Sequence, residues 1–166
     1  FFNNHQKNLN FNDVTNEIIN FVSKYPNSRY KLAIGSDSQV KVGYTVYISA
    51  IIIHRIGKGA KGFVTKKIVP REINNLREKI FIEASMTHKI ASMFTLDFFE
   101  DVMDIIIPNI KKGADFKYEI HVDIGNNGET RKYIKEVAGY FAGLGFETKI
   151  KPEAYAASSY ANKYTK

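Results

Sequence analysis

The chain has 166 residues, 44% of them hydrophobic and 25% charged, with a formal net charge of +7 and no cysteine. This is the profile of an ordinary globular protein with enough apolar material for one core, and a single domain over residues 1–166 is the default expectation. Disulfides and thiolate zinc sites are excluded, and the longest apolar stretch, near YISAIIIH, is far too short to span a membrane. No secretory pattern precedes the first polar residues, so the expected location is the cytoplasm.

Residues 11–25 place Val14, Ile18, Phe21 and Val22 at helical spacing, with Asn12 or Asp13 as the N-cap. YPNS breaks that helix. Lys31 to Asp37 reads as a strand. VKVGYTVYISAIIIHR, rich in β-branched and aromatic residues, reads as a second and longer one. GKGAKG is a turn, and FVTKKIV is a third strand ended by Pro70, so these two strands form an antiparallel hairpin. A long helix follows, with one face marked by Ile73, Leu76, Ile80, Ala84, Thr87, Ile90, Ala91 and Phe94. LDFFEDVMDIII is a further helix ending at Pro108. FKYEIHVD is a fourth strand, Gly128 to Phe141 is helical, FETKIK is a fifth short strand, and AYAASSYANKYTK is a closing small-residue helix that packs tightly. A hairpin followed by alternating helices and strands implies an α/β fold with a mixed sheet covered by helices.

Three carboxylates fall where a charge is costly. Asp37 closes the apolar run KLAIGSD, Asp123 closes YEIHVD, and Glu83 lies on the apolar face of the long helix, whereas Glu78 projects to the opposite side. An ionised acid facing a core needs compensation. Three of them on separate elements point to one shared positive partner, and a divalent metal is the simplest, because hard cations take oxygen ligands. Polar sites of open sheets lie at the carboxyl ends of parallel strands; Asp37 and Asp123 both sit at strand carboxyl ends, and they lie side by side if their strands are parallel neighbours. The bland alternatives are turn capping by Asp37 or Asp123 and a buried hydroxyl or lysine partner for Glu83.

The positive charge is partly local. Arg55, Lys58, Lys61, Lys66, Lys67 and Arg71 occupy one stretch, and Lys149, Lys151, Lys163 and Lys166 gather near the end. Such patches attract phosphate backbones, or are simply a solvated surface. His121 shares a strand face with Asp123 and reads as a satisfied structural histidine more readily than as a proton shuttle. GNNGETRK precedes a helix and offers amides to a phosphate, but it lacks the Walker signature.

The motifs GSDSQV (Gly35 to Val40), AIIIHRIGKGAKGF (Ala50 to Phe63), EIHVDIGNNGETRKYIKEV (Glu119 to Val137) and KPEAYAASSYANKYTK (Lys151 to Lys166) resemble the YkuK family of predicted ribonuclease H-like proteins. The resemblance covers nearly the whole chain. It implies a five-stranded mixed sheet with the second strand antiparallel, flanked by helices. Active members of that superfamily carry an Asp on the first strand, a Glu on the first long core helix and an Asp on the fourth strand, positions matched by Asp37, Glu83 and Asp123. A late acid is also common. Relatives read Ala-Asp there, and this chain reads Ala161-Asn162, so Asn162 would replace a ligand carboxylate.

The resemblance thus implies a metal-dependent nuclease acting on RNA, an RNA–DNA hybrid or structured DNA. Asp37, Glu83, Asp123 and Asn162 would be the ligands of Mg²⁺ or Mn²⁺, and Arg55, Lys58, Lys61, Lys66, Lys67, Lys151 and Lys163 the nucleic-acid contacts. Two like charges about 4 Å apart repel by roughly 4 kcal/mol at an effective dielectric of 20, so such a cluster without metal protonates in part. A non-catalytic nucleic-acid-binding module is the alternative, favoured by Asn162. ATP handling of the actin or sugar-kinase type needs two lobes, and a chain of this length holds one.

Overall fold

The computed structural model describes residues 1–166. Helix α1 (Phe11–Lys24) opens two or three residues earlier than the sequence suggests. The Asn10 side chain accepts the Asp13 amide and the Asp13 carboxylate accepts the Asn10 amide. This reciprocal pair satisfies two orphan donors, which is why Asn10, not Asn12 or Asp13, is the cap. Val14, Ile18 and Val22 are buried on its inner face.

The sheet contains β1 (Arg29–Lys41), β2 (Tyr44–Arg55), β3 (Gly59–Val69), β4 (Asp115–Val122) and β5 (Glu147–Lys149), in the order β3-β2-β1-β4-β5. Strand β2 is antiparallel to β1 and β3, whereas β4 and β5 run parallel to β1 and to each other. This is the mixed sheet expected. Strand β1 continues through Asp37 to Lys41, beyond the expected stop, and the turn falls at Gly43. There φ is +80°, a left-handed conformation that glycine adopts without strain.

The two faces of the sheet differ. Leu32, Ile34, Ile51, Ile53, Phe63, Ile120 and Val122 meet the apolar sides of α1, α2 (Leu76–Ala91), α3 (Leu96–Ile106) and α4 (Ile134–Gly143) in the main core. Asn75 caps α2 by accepting the Glu78 amide, so Ile73 lies before the helix and Phe94 after it, although both are buried. A 3₁₀ segment, Ile107–Lys112, carries the chain past Pro108, and another, Glu129–Tyr133, precedes α4. No helix is long and apolar enough to cross a membrane.

The opposite face carries Ala33, Ile52, Val46, Ile48, Ala50 and Val64. It is covered by a π-helical turn, Ala156–Ala161, that leads into the short α5 (Asn162–Thr165). Small residues allow the close approach. A Cβ on Gly35 would stand 2.7 Å from the Ala157 amide nitrogen, and one on Gly62 would collide with Cζ and the hydroxyl oxygen of Tyr160. Gly35→Ala should therefore destabilise the protein by about 1–3 kcal/mol, because the obstacle is backbone. Gly62→Ala should cost less, because the Tyr160 ring can swing aside. Urea denaturation of both variants checks that order, and a smaller loss at Gly35 would contradict this packing.

Candidate acidic site

Register places the acids. Ser36 on β1 is the last residue paired with β4, opposite Val122, so Asp37 and Asp123 take the next position on adjacent parallel strands. Strand β4 ends there while β1 continues, which leaves β1 without a neighbour on that side. Asp37 projects to the face of the closing segment and is 7% exposed. Its Oδ2 accepts the Thr165 hydroxyl at 3.1 Å, and Thr165 Oγ1 is also 2.9 Å from the Asn162 carbonyl oxygen and 3.5 Å from Asn162 Oδ1. Thr165 thus links Asp37 to Asn162 through a shared hydroxyl.

Glu83 arrives from the other face, on α2, and is equally buried. The Ser38 hydroxyl donates to its Oε1 at 2.6 Å. Below it, Thr87 donates to Ser36 at 2.8 Å, and Ser36 and Ser49 share a hydrogen bond of 2.7 Å. The serines on either side of Asp37 therefore belong to a hydroxyl layer between β1 and α2, and Ser38 orients the Glu83 carboxylate.

Burial pushes the Glu83 pKa up to about 8. Asp37 and Asp123 add to the rise, against the Ser38 hydrogen bond and Lys79. Burial is also the main cause that raises Asp37, followed by the nearby Asp123 charge, with Thr165 opposing. The three acids thus share one electrostatic neighbourhood, and neither Asp37 nor Glu83 touches a cation. Asp123 differs, because Lys151 Nζ lies 2.9 Å from its Oδ1. The contact is off-line for a hydrogen bond, so that buried oxygen has no hydrogen-bond partner.

Oxygen-only donors, two buried acids with no cation in contact and one buried carboxylate oxygen without a hydrogen bond suit a hard divalent cation. The side chains stand apart, however, and no three His, Asp or Glu groups close on one point. Holding an ion requires them to draw together.

His121 is structural. Its Nδ1 accepts the Ala156 amide at 3.1 Å, which puts the proton on Nε2, and Nε2 donates to Glu119 Oε2 at 2.9 Å. Lys31 lies 3.6 Å from the other Glu119 oxygen. Burial is the main cause that lowers the His121 pKa, joined by Lys31 and Lys149 and opposed by Glu119. This network anchors the start of the closing segment.

The basic residues do not form one surface. Arg55 pairs with Tyr30 and Asp37 with Ile48, so Arg55 lies seven residues, ~23 Å, from the acids along the sheet, Lys58 lies in the turn beyond it, and Lys61, opposite Ile53, lies five residues away, ~17 Å. The Arg55 guanidinium stacks 3.8 Å from the Tyr25 ring and donates to Ser28, and Lys61 lies 3.6 Å from Glu17. Arg55 thus already has packing partners, a ring and a hydroxyl, at the end of the sheet away from the acids. Lys66, opposite Ile48, and Lys67, opposite Tyr47, lie at the acidic end. Lys151 is committed to Asp123, and Lys163 is exposed on the closing helix. Sequence reasoning missed Arg131, Lys132 and Lys135, which are exposed after the loop that follows Asp123 and line one shallow hollow with Gly128. Two of these charges, Arg131 and Lys132, close the GNNGETRK motif.

Two outcomes test this geometry. Between the ordinary glutamate value of 4.5 and about 8, folded Glu83 keeps a proton that the unfolded chain has released, so stability falls as pH rises through that window. In metal-free buffer above about pH 8, Glu83→Gln should melt at a higher temperature than the parent, and the two should converge below about pH 4.5. Calorimetry across pH measures this, and identical pH profiles would contradict it. Arg55→Ala should cost about 1 kcal/mol of stability through the lost stacking and leave nucleic-acid affinity unchanged, read by denaturation and by anisotropy.

Comparison with known proteins agrees with this architecture. Residues 13–166 match the family model described as Ribonuclease H-like. "Uncharacterized protein YkuK" of Bacillus subtilis (strain 168) is 42% identical over 166 residues, which cover 100% of this chain and 96% of that protein. No solved structure matches. With its sheet order, its helix-borne glutamate and a family match that spans all but the first residues, the chain belongs to the YkuK family of ribonuclease H-like proteins.

Proposed function

We propose that this protein is a divalent-cation-dependent nuclease that hydrolyses phosphodiester bonds in RNA, an RNA–DNA hybrid or structured DNA. The family suggests a nucleic-acid nuclease or binding module. The observation that carries the catalytic reading is the pair Asp37 and Glu83, buried at one sheet end with no cation in contact and with Asp123 within electrostatic reach. Burial disfavours the ionised form of both acids, a cost that a purely structural role does not require and that a bound cation would offset.

Asp37, Glu83 and Asp123 would hold Mg²⁺ or Mn²⁺, with Asn162 adding a neutral amide oxygen. A cation held there supplies Lewis acidity to the phosphoryl oxygens and lowers the pKa of an attacking water. Ser38 fixes the orientation of Glu83, and Thr165 that of Asp37. Lys151 neutralises Asp123 while no cation is bound. Lys66, Lys67 and the Arg131, Lys132 and Lys135 group would grip the phosphate backbone from either side of the acids.

A labelled panel of single-stranded RNA, hybrid and branched DNA should be cleaved with Mn²⁺, and Asp37→Asn should lower the rate by about 100-fold or more. Asn162→Asp should tighten Mn²⁺ binding in calorimetry, because it restores a charge to the donor set. No cleavage of any substrate under any divalent ion would sink the catalytic reading.

Asn162 itself favours the second reading, a binding module. Its Nδ2 donates to the Ser158 carbonyl at 3.4 Å, so the amide already has a structural partner. That reading expects salt-sensitive binding that survives Asp37→Asn.

A further inference from the structure

The closing segment has a second flank. Asn162 and Thr165 meet Asp37, whereas Ser159, Tyr160 and Lys163 line a separate cavity of about 490 Å³. The cavity also takes in His54, Tyr155 and Lys61. Its floor is the β2–β3 pair Ile52 and Gly62, on the sheet face that carries Asp37. The volume lies within the range that holds small molecules.

The walls are braced rings. His54 meets Tyr155 edge-on at 5.6 Å, and Tyr155 in turn meets the buried His121 at 4.5 Å. Tyr160 rests on Gly62, where no side chain fits, and packs against Tyr164 at 5.6 Å. Burial and Lys31 keep the His54 pKa below its ordinary value, so the ring offers one donor and one acceptor nitrogen near neutral pH. Two ammonium groups stand at this cavity. Lys61 is offset by Glu17 at 3.6 Å, but Lys163 stands 5.6 Å from the Tyr164 ring with no carboxylate in ion-pair contact.

Aromatic walls, a neutral imidazole and one uncompensated ammonium are complementary to a flat heterocycle that carries an anionic group. Tyrosine rings accept any base by stacking, a neutral histidine can pair with a base edge, and a lysine holds a phosphate as a point charge. A carboxylate or a simple anion would leave the rings unused, and an apolar ligand would leave Lys163 and His54 unpaired. We propose that this cavity binds a nucleoside monophosphate unit, with its base against Tyr155 and Tyr160 and its phosphate at Lys163. The unit is either a free mononucleotide or one nucleotide of a strand. The site lies across the closing helix from the acids and involves none of them.

Saturation-transfer NMR with AMP, CMP, GMP and UMP tests the assignment, with a short labelled oligonucleotide followed by anisotropy in parallel. Saturation should appear on base protons. Lys163→Glu, at an exposed position, should weaken mononucleotide binding by about fivefold and leave the parent nucleoside unaffected. His54→Gln should weaken both, and melting curves show whether each variant is folded. Competition between oligonucleotide and mononucleotide, with both weakened by Lys163→Glu, supports a strand as the source, whereas binding of mononucleotide alone supports a free ligand. No saturation transfer from any nucleotide, or transfer that neither substitution alters, overturns the proposal. Asp37→Asn should leave this binding intact, so loss of cleavage and loss of nucleotide binding report on different sites.

Discussion

Strand β1 outruns its parallel neighbour, and the site depends on that mismatch. Pairing with β4 ends at Ser36, while pairing with β2 continues to Lys41. Beyond Ser36 the β4 side of the strand is open, and the chain leaving β4 delivers Asp123 beside Asp37. If β4 continued in register, its backbone would fill this gap and close the sheet beside the two carboxylates. The free end of a parallel pair is where open α/β sheets expose polar chemistry. Here it also lets a helix on one face and a short segment on the other approach the same strand.

The two faces contribute differently. The α2 side provides burial, because Glu83 lies against a layer of serine and threonine hydroxyls and not against a cation. The closing side provides positioning. Its small residues come close to β1 only because Gly35 has no side chain, and that approach puts the Thr165 hydroxyl on Asp37. The Lys31, Glu119 and His121 chain fixes where this segment begins, through the Ala156 amide. A hydrogen-bonded core network on one strand thus sets the position of a residue far along the chain on another element. Desolvation, more than mutual repulsion, raises the pKa values of Asp37 and Glu83, which are held by packing in a state that water would relieve.

Much of this was legible from residue patterns. The three acids stood out because a charge on an apolar face violates the ordinary rule of burial, and the small residues of the closing segment marked tight packing. The fate of the basic residues was not legible. Arg55 belongs to a run of positive charge in the sequence, yet the hairpin turns it back onto Tyr25, and Lys151 is drawn to Asp123. A cation in a sequence carries no mark of whether its partner is solvent, a ring or a carboxylate from another element. Strand ends were misjudged for a related reason, since β1 continues through polar residues that its antiparallel partner alone supports.

The sequence by itself determined the kinds of element, their order and the identity of the acids, because hydrophobic periodicity and the cost of buried charge are properties of short segments. Only the tertiary structure decided that Asp37 and Asp123 sit at matching positions on parallel strands, that the positive charges divide between the two ends of the sheet, and that the closing segment shelters a second cavity. Those facts depend on register and on contacts between residues far apart in the chain, and no local pattern encodes them.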